Sequence, residues 1–204
     1  MASVKLTKTE LKRQKDQLKR YKRYLPTLLL KKQQLQMVIR QVEQEILEYR
    51  QKQEAVHRSL LHWVHVYGEN RRFDESLQLQ HLVKVDKIKK KKGNIAGVTI
   101  PVFEELTFKE ISYNLLEYPL WVDKGIEALR NIAEFDALIT VLEQQVVLLN
   151  RELVTTSQRV NLFEKIKIPE SKDNIRKISI ALGDQQTASV VRGKIAKSKL
   201  TKVS

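Results

Sequence analysis

Cysteine is absent from the 204 residues. That excludes a disulfide framework, a thiolate nucleophile and Cys-ligated zinc. Glycine occurs six times and proline four, too few for a fold built mainly on tight turns. Aromatics make up 6%, leaving few platforms on which nucleic-acid bases could stack. No apolar run approaches the roughly 20 residues that cross a bilayer. The start carries Lys5, Lys8 and Lys12 with no apolar stretch behind them, unlike a secretory signal. A soluble chain in a reducing compartment is the expectation.

Charge is what the chain has in quantity. Charged residues reach 30%, with 38 Lys and Arg against 24 Asp and Glu, for a net +14. The excess sits at the two ends: residues 1–32 carry a net +9, residues 165–204 a net +7, and the stretch between them −2. A long, Gly-poor, charged chain of this kind leans towards coiled-coil helices. If its ends meet in space, one pole is strongly positive and attracts nucleic acid, acidic lipid or an acidic protein surface. The run Lys89 to Lys92, directly before Gly93-Asn94, reads as a solvated turn.

Heptad arithmetic places two helices. One seam row of the first is Leu11, Leu18, Leu25, Lys32, Ile39, Ile46, Gln53 and Leu60. The row three residues on is Gln14, Tyr21, Leu28, Leu35, Val42, Tyr49, Val56 and Trp63. Thirteen of these sixteen are apolar or aromatic, where composition alone gives about seven. In the second helix the alternation runs Ala128, Ile132, Phe135, Ile139, Leu142, Val146, Leu149, Leu153, Thr156, Val160, Phe163, and ten of eleven are apolar. Each stripe needs a partner, and the cheapest is the other helix. The expected fold is mainly α: a long antiparallel two-helix coiled coil from the N- and C-terminal segments, with both basic ends at one pole. Its seam includes Leu18, Leu28, Leu35, Val42 and Ile46 on one helix and Leu142, Val146, Leu149, Leu153 and Val160 on the other.

Four segments follow: 1–67, a long helix with a kink expected near Pro26 at Tyr24 or Leu25; 68–125, a central insert; 126–168, a second long helix; and 169–204, a basic terminal helix. The insert holds four of the six glycines and two of the four prolines. Val83 and Val85, then Val98, Ile100 and Val102, alternate with other residues around Lys92-Gly93-Asn94, which predicts a β-hairpin over about 82–103 turning there. Pro101 cannot donate to a ladder and requires an edge or a strand end. After Pro169, Ile175, Ile178, Leu182, Val191 and Ile195 predict a shorter helix interrupted around Gly183-Asp184.

No catalytic constellation emerges. The only Gly-Lys pair, Gly193-Lys194, is followed by Ile195 and has Ser189 where a phosphate loop needs its upstream glycine. His62 and His65 share a helical face with Glu69 one turn on, which could hold a metal. A di-iron bundle, however, needs two Glu-x-x-His sets, and only Glu54 to His57 fits. No nucleophile–base motif is present. The expectation is no catalytic residue, no cofactor and no metal, and a protein that is not an enzyme.

Four blocks resemble the D subunit of the V-type and archaeal-type rotary ATPases, in its bacterial branch. They are Leu11-Lys12-Arg13 through Leu28, Lys31, Lys32 and Leu35; Gly97 to Phe103; Tyr113 to Asp123 with Glu127-Ala128-Leu129; and Arg159 to Glu164 followed by Ile168-Pro169 and Ile175. The likeness spans nearly the whole chain in order. It departs at Tyr24-Leu25-Pro26-Thr27, where many members carry a Gly-His-Lys-like stretch without proline.

The resemblance implies a central-stalk axle, one copy inside a hexamer of A and B subunits, transmitting torque to the membrane ion-translocating rotor. ATP chemistry would belong to A and B. The implied partners are the A, B and F subunits and the membrane-rotor adaptor, with no nucleic acid and no insertion into the membrane. The implied location is cytoplasmic, peripheral to the membrane. Lys12, Arg13, Lys19, Arg20, Arg192, Lys194, Lys197 and Lys199 are the expected contacts with the hexamer. Val98, Ile100, Val102 and Phe103 are those expected on the side of the F subunit. The rival readings are a homodimeric coiled-coil scaffold, which would not need a hairpin between matched stripes, and a basic nucleic-acid-binding protein, for which a reading helix is lacking.

Overall fold

A computed structural model describes residues 4–62, 81–113, 118 and 121–203. Helix α1 spans Lys8–Leu61, strands β1 and β2 span Val85–Ile95 and Val98–Phe108, and helix α2 spans Val122–Asn161. A π-helical turn, Leu162–Lys167, leads directly into helix α3, Ile168–Val203. The chain is thus mainly helical, with long N- and C-terminal helices around a two-stranded antiparallel hairpin. Trp63, His65, Gly68 and Glu69, together with residues 114–117, 119 and 120 of the third resembling block, lie outside the described residues.

The fold divides into two units: residues 34–153, and a second built from 1–33 with 154–204. In the first, α1 and α2 run antiparallel. Leu35 meets Leu149, Val42 and Ile46 meet Ile139 and Leu142, and Tyr49 lies 6.2 Å from Phe135 between ring centroids. Along the rim of this seam Arg50 Nη2 donates to Glu143 Oε1 at 2.7 Å, and Gln53 Nε2 to Asp136 Oδ1 at 2.7 Å. Both contacts are exposed, and the ion pair is worth about 0–1 kcal/mol; the buried seam carries the stability. A second small core, Leu82, Val122 and Ile126, is packed by Val83, Ile111, Tyr113, Tyr118 and Trp121.

In the second unit, α1 opens with a threonine N-cap. Thr7 Oγ1 accepts from the Glu10 N–H at 3.2 Å, with Glu10 at the third helical position. Tyr21 stacks on Phe163 at 5.1 Å, and residues 10–14 lie beside 170–177, so this pair is antiparallel too. α1 stays helical through Pro26.

Of the sixteen α1 positions in the heptad rows, Trp63 is undescribed and every other is buried or half-buried, as are all eleven positions from Ala128 to Phe163.

The hairpin is longer than expected and turns elsewhere. Its two-residue loop is Ala96-Gly97, with φ of 51° and 79°. Positive φ at both central residues matches the right-handed twist of the strands. Gly93 and Asn94 stand inside β1, opposite Ile100 and Thr99. The lysine run likewise sits in strand, where Lys89 Nζ lies 2.8 Å from Glu105 and Lys90 Nζ donates to Gln144 Oε1 at 3.3 Å. Lysines on an edge strand discourage further strands from pairing there. Gly93 is required by space: a Cβ would come within 2.8 Å of Val102 Cγ2. Pro101 pairs with Lys92 in a sheet where both strands are edges, so its missing N–H is tolerated.

Two further differences concern α3. It runs unbroken through Gly183, where an interruption was expected, because one mid-helix glycine costs only about 1 kcal/mol. Pro169 does not open a loop either. The Ile168 N–H donates to the Phe163 carbonyl, five residues back, so the wider π turn brings the chain to Pro169 without leaving helical geometry. It also takes up one extra residue. Beyond Phe163 the inward positions are Lys167, Ser171 and Ile178, and the first two steps are four and four where the heptad alternates four and three. A π turn absorbs that residue and keeps the stripe facing inward.

Candidate functional site

The eight basic residues expected at a partner interface all lie in the unit formed by 1–33 and 154–204, and all are exposed. Lys12, Arg13, Lys19 and Arg20 fall in the first four turns of α1. Arg13 lies 3.8 Å from Glu10 and borders a cavity of about 860 Å³ lined also by Glu170, Asn174 and Lys177 of α3. The first half of the set is therefore beside the start of α3.

Arg192, Lys194, Lys197 and Lys199 are not beside it. From Lys177 to Arg192 is fifteen residues, or about 22 Å at 1.5 Å per residue. α3 runs past the start of α1, and every residue from 183 to 199 is exposed. The basic set is thus two clusters in sequence along one unit. Val190 and Val191 stand just before the second cluster and Ile195 within it, 59, 49 and 49% exposed. The matched stripes contain the signal for this extension: with Tyr21 opposite Phe163, Lys8 falls opposite about residue 176, and the chain continues well beyond.

The four hairpin residues differ in burial: Val98, Ile100 and Val102 alternate onto one face of β2, and Phe103 lies on the other. Ile100 is 2% exposed and packs on Leu35, Ile39 and Leu149, with Val98 against the same cluster. Gln145 Nε2 donates to the Pro101 carbonyl at 2.6 Å and fastens the hairpin to α2. Val102 remains 38% exposed. Val102 and Phe103 border a groove of about 410 Å³ lined by Val38, Tyr49 and Leu142. Ile100 therefore docks the hairpin on its own helices, and Val102 presents the most open apolar surface of the four.

Tyr113 donates a short hydrogen bond to Asp123 and meets Tyr118 edge-on at 5.4 Å. That bond to the carboxylate holds the phenol proton and raises the Tyr113 pKa. The hydrogen bonds and charges of Glu105 and Glu170 likewise raise the pKa of Lys89 and Lys167. All three groups stay in their ordinary protonation state at neutral pH. Among the described residues no group of three or more His, Asp or Glu could hold a metal ion. No described helix is long and apolar enough to cross a membrane.

Fold and surfaces together define a class of protein: long paired helices with a docked β-hairpin, presenting basic helix ends. The chain belongs to the family of ATP synthase D subunits, whose model matches residues 10–198. It is 49% identical over 202 residues to a V-type ATP synthase D subunit of Borreliella burgdorferi, covering 99% of this chain and 97% of that one. Against the V-type ATP synthase D subunit of Chlamydia caviae the identity is 34% over 199 residues, covering 98% and 94%. The protein of the same name from Chlamydia pneumoniae is 31% identical over 204 residues, covering 97% and 93%.

Proposed function

We propose that this chain is the central-stalk rotor of a V-type ATP synthase, a non-catalytic part that transmits torque between a hexamer of A and B subunits and the membrane rotor. The observation that carries the reading is the full-length relationship to V-type ATP synthase D subunits. The helix pairs support it physically. A seam between paired helices resists bending and twist better than loops do, and a pair of helices has no threefold symmetry, so three similar catalytic interfaces meet different faces. The complex is peripheral to the cytoplasmic side of the membrane and holds one copy of this chain.

The contacts with A and B must break at every step. Exposed Lys and Arg suit this, since solvated pairs contribute about 0–1 kcal/mol each. Lys12, Arg13, Lys19, Arg20, Arg192, Lys194, Lys197 and Lys199 carry these contacts. Val102 and Phe103, with Val98 beside the anchored Ile100, face the F subunit, and the adaptor contacts the rotor nearer the membrane.

Native mass of the assembly formed on co-expression with the A, B and F subunits tests the reading. One copy with three A and three B is expected; a dimer of this chain alone, binding neither, would leave a coiled-coil scaffold. Reversing the eight charges should weaken assembly or slow ATP turnover, and unchanged values for both would reject the contact set. Hydrogen exchange with the F subunit present should protect residues 98–103; no protection there rejects the hairpin contact.

A further inference from the structure

Both helices of the unit formed by 1–33 and 154–204 carry an interrupted hydrogen-bond ladder, and the interruptions converge on one contact. On α1, Pro26 has no N–H to give to the Lys22 carbonyl, and its ring crowds that same group. Lys22 is the neighbour of Tyr21, which stacks on Phe163 at 5.1 Å with the rings 48° apart. Phe163 is the second residue of the π turn Leu162–Lys167, where the Ile168 N–H reaches back five residues. Pro169, two residues beyond the turn, removes another donor. In an antiparallel pair, the chain beyond Tyr21 and the chain beyond Phe163 run in opposite directions. The two defects therefore flank the aromatic contact from either side, each within about a turn or two of it.

Packing at this level is thin on the α1 side and in the π turn, although Val160 of α2 is 3% exposed. All four buried residues of α1, Leu35, Ile39, Val42 and Ile46, lie in the other unit, and the π turn has none. Leu18, Tyr21, Leu25 and Leu28 are only half-buried. The polar Lys167 occupies a seam position, its Nζ 3.0 Å from Glu170. Regular helices over well-filled seams resist bending, whereas a missing donor and a π turn are the recognised causes of kinks.

We infer that Pro26, the Tyr21–Phe163 contact and the π turn with Pro169 form one flexible joint across both helices of this pair. The two ladders open together at it, with the stacked rings as the pivot that keeps the helices in register. Such a joint stores and returns twist without unfolding the seam on either side of it. The inference concerns the chain alone and stands whether or not the rotor reading does.

Hydrogen exchange of the full-length chain tests it, comparing the wild type with Pro26→Ala. In the wild type, amides of 22–30 and 160–168 should exchange at least tenfold faster than those of 172–178. Pro26→Ala restores a donor on α1 only. If the defects form one joint, it slows exchange severalfold in 22–30 and also in 160–168 on the opposite helix. Slowing confined to 22–30 would show two independent defects and overturn the joint. Wild-type exchange no faster than in that flanking segment would overturn it outright. A second variant, Phe163→Leu, keeps apolar bulk but removes the stack, and it should uncouple the two segments, so that adding Pro26→Ala to it slows only 22–30.

Discussion

Truncating Ile100 and truncating Val102, two residues apart on β2, should have opposite consequences. Ile100 is 2% exposed against Leu35, Ile39 and Leu149, which are 0, 6 and 0% exposed. Ile100→Ala removes three buried carbons, worth about 2.4 kcal/mol at ~0.8 kcal/mol each. With the cavity left among rigid neighbours, the expected loss is about 3 kcal/mol, within the range of ~2–5 for such changes. Val102→Ala removes two carbons from a side chain that is 38% exposed, and the same reasoning gives about 1 kcal/mol or less. Urea unfolding followed by helical circular dichroism measures both. Binding to the F subunit should show the reverse order, with Val102→Ala weakening it more than its small effect on stability accounts for. A near-neutral Ile100→Ala, or a Val102→Ala that costs as much, would refute the difference in burial between the two positions.

The turn, the strand and the titrating pairs give three further tests. Ala96 holds φ of 51° in the loop, a conformation that Asn tolerates better than Ala, so Ala96→Asn should stabilise the chain by about 0.5–1 kcal/mol; a loss in urea unfolding would contradict the turn. Gly93→Ala should cost about 1–3 kcal/mol through overlap with Val102 Cγ2, and in a Val102→Ala background most of that cost should vanish; an unchanged cost would place the clash elsewhere. Lys89, Lys167 and Tyr113 all have raised pKa values. Their contribution is therefore complete at neutral pH and is lost as pH climbs through their titration, above about 10. Glu105→Gln should lower Tm at pH 7 more than at pH 11, and an equal effect at both would show that the Lys89 pair contributes nothing.

How far the sequence could be read depended on which period carried the information. The heptad stripes specified partner, direction and buried face over both long helices, because burial of a seam is a repeated choice recorded at every position of the two stripes. The hairpin was legible as alternation, but its turn was not. Gly93-Asn94 and Ala96-Gly97 are both plausible loop pairs, and alternation alone does not choose between them; the strand register closes at the second. Gly183 and Pro169 misled in the same direction, since each is a local helix breaker whose effect the surrounding helix absorbs, one by tolerating about 1 kcal/mol, the other through a π turn. That turn was open to counting. The inward spacing Phe163, Lys167, Ser171 holds one residue more than a heptad allows, but Lys167 and Ser171 are polar, and a search for apolar stripes passes over them.

The same polarity separates the two units in mechanical terms. In residues 34–153 the seam is filled by aliphatic side chains at 9% exposure or less, and the hairpin adds Ile100 to it. In the unit of 1–33 and 154–204, α1 contributes half-buried residues, while the facing helices bury Thr156 and Ser171 at 1 and 4% beside Val160 and Ile178 at 3 and 0%. Replacing aliphatic carbon by hydroxyl in a seam removes apolar contact and keeps the hydrogen bonds local, so the gain per residue is smaller. Under the proposed rotor reading, a unit that grips and releases charged neighbours needs no rigid core, because solvated lysines on its outside would carry its contacts. One that anchors an inserted hairpin needs the rigid core, because Ile100, with Val98 beside it and the Gln145–Pro101 hydrogen bond, holds the hairpin on the helices. The division of buried residues along one pair of stripes follows that difference in demand.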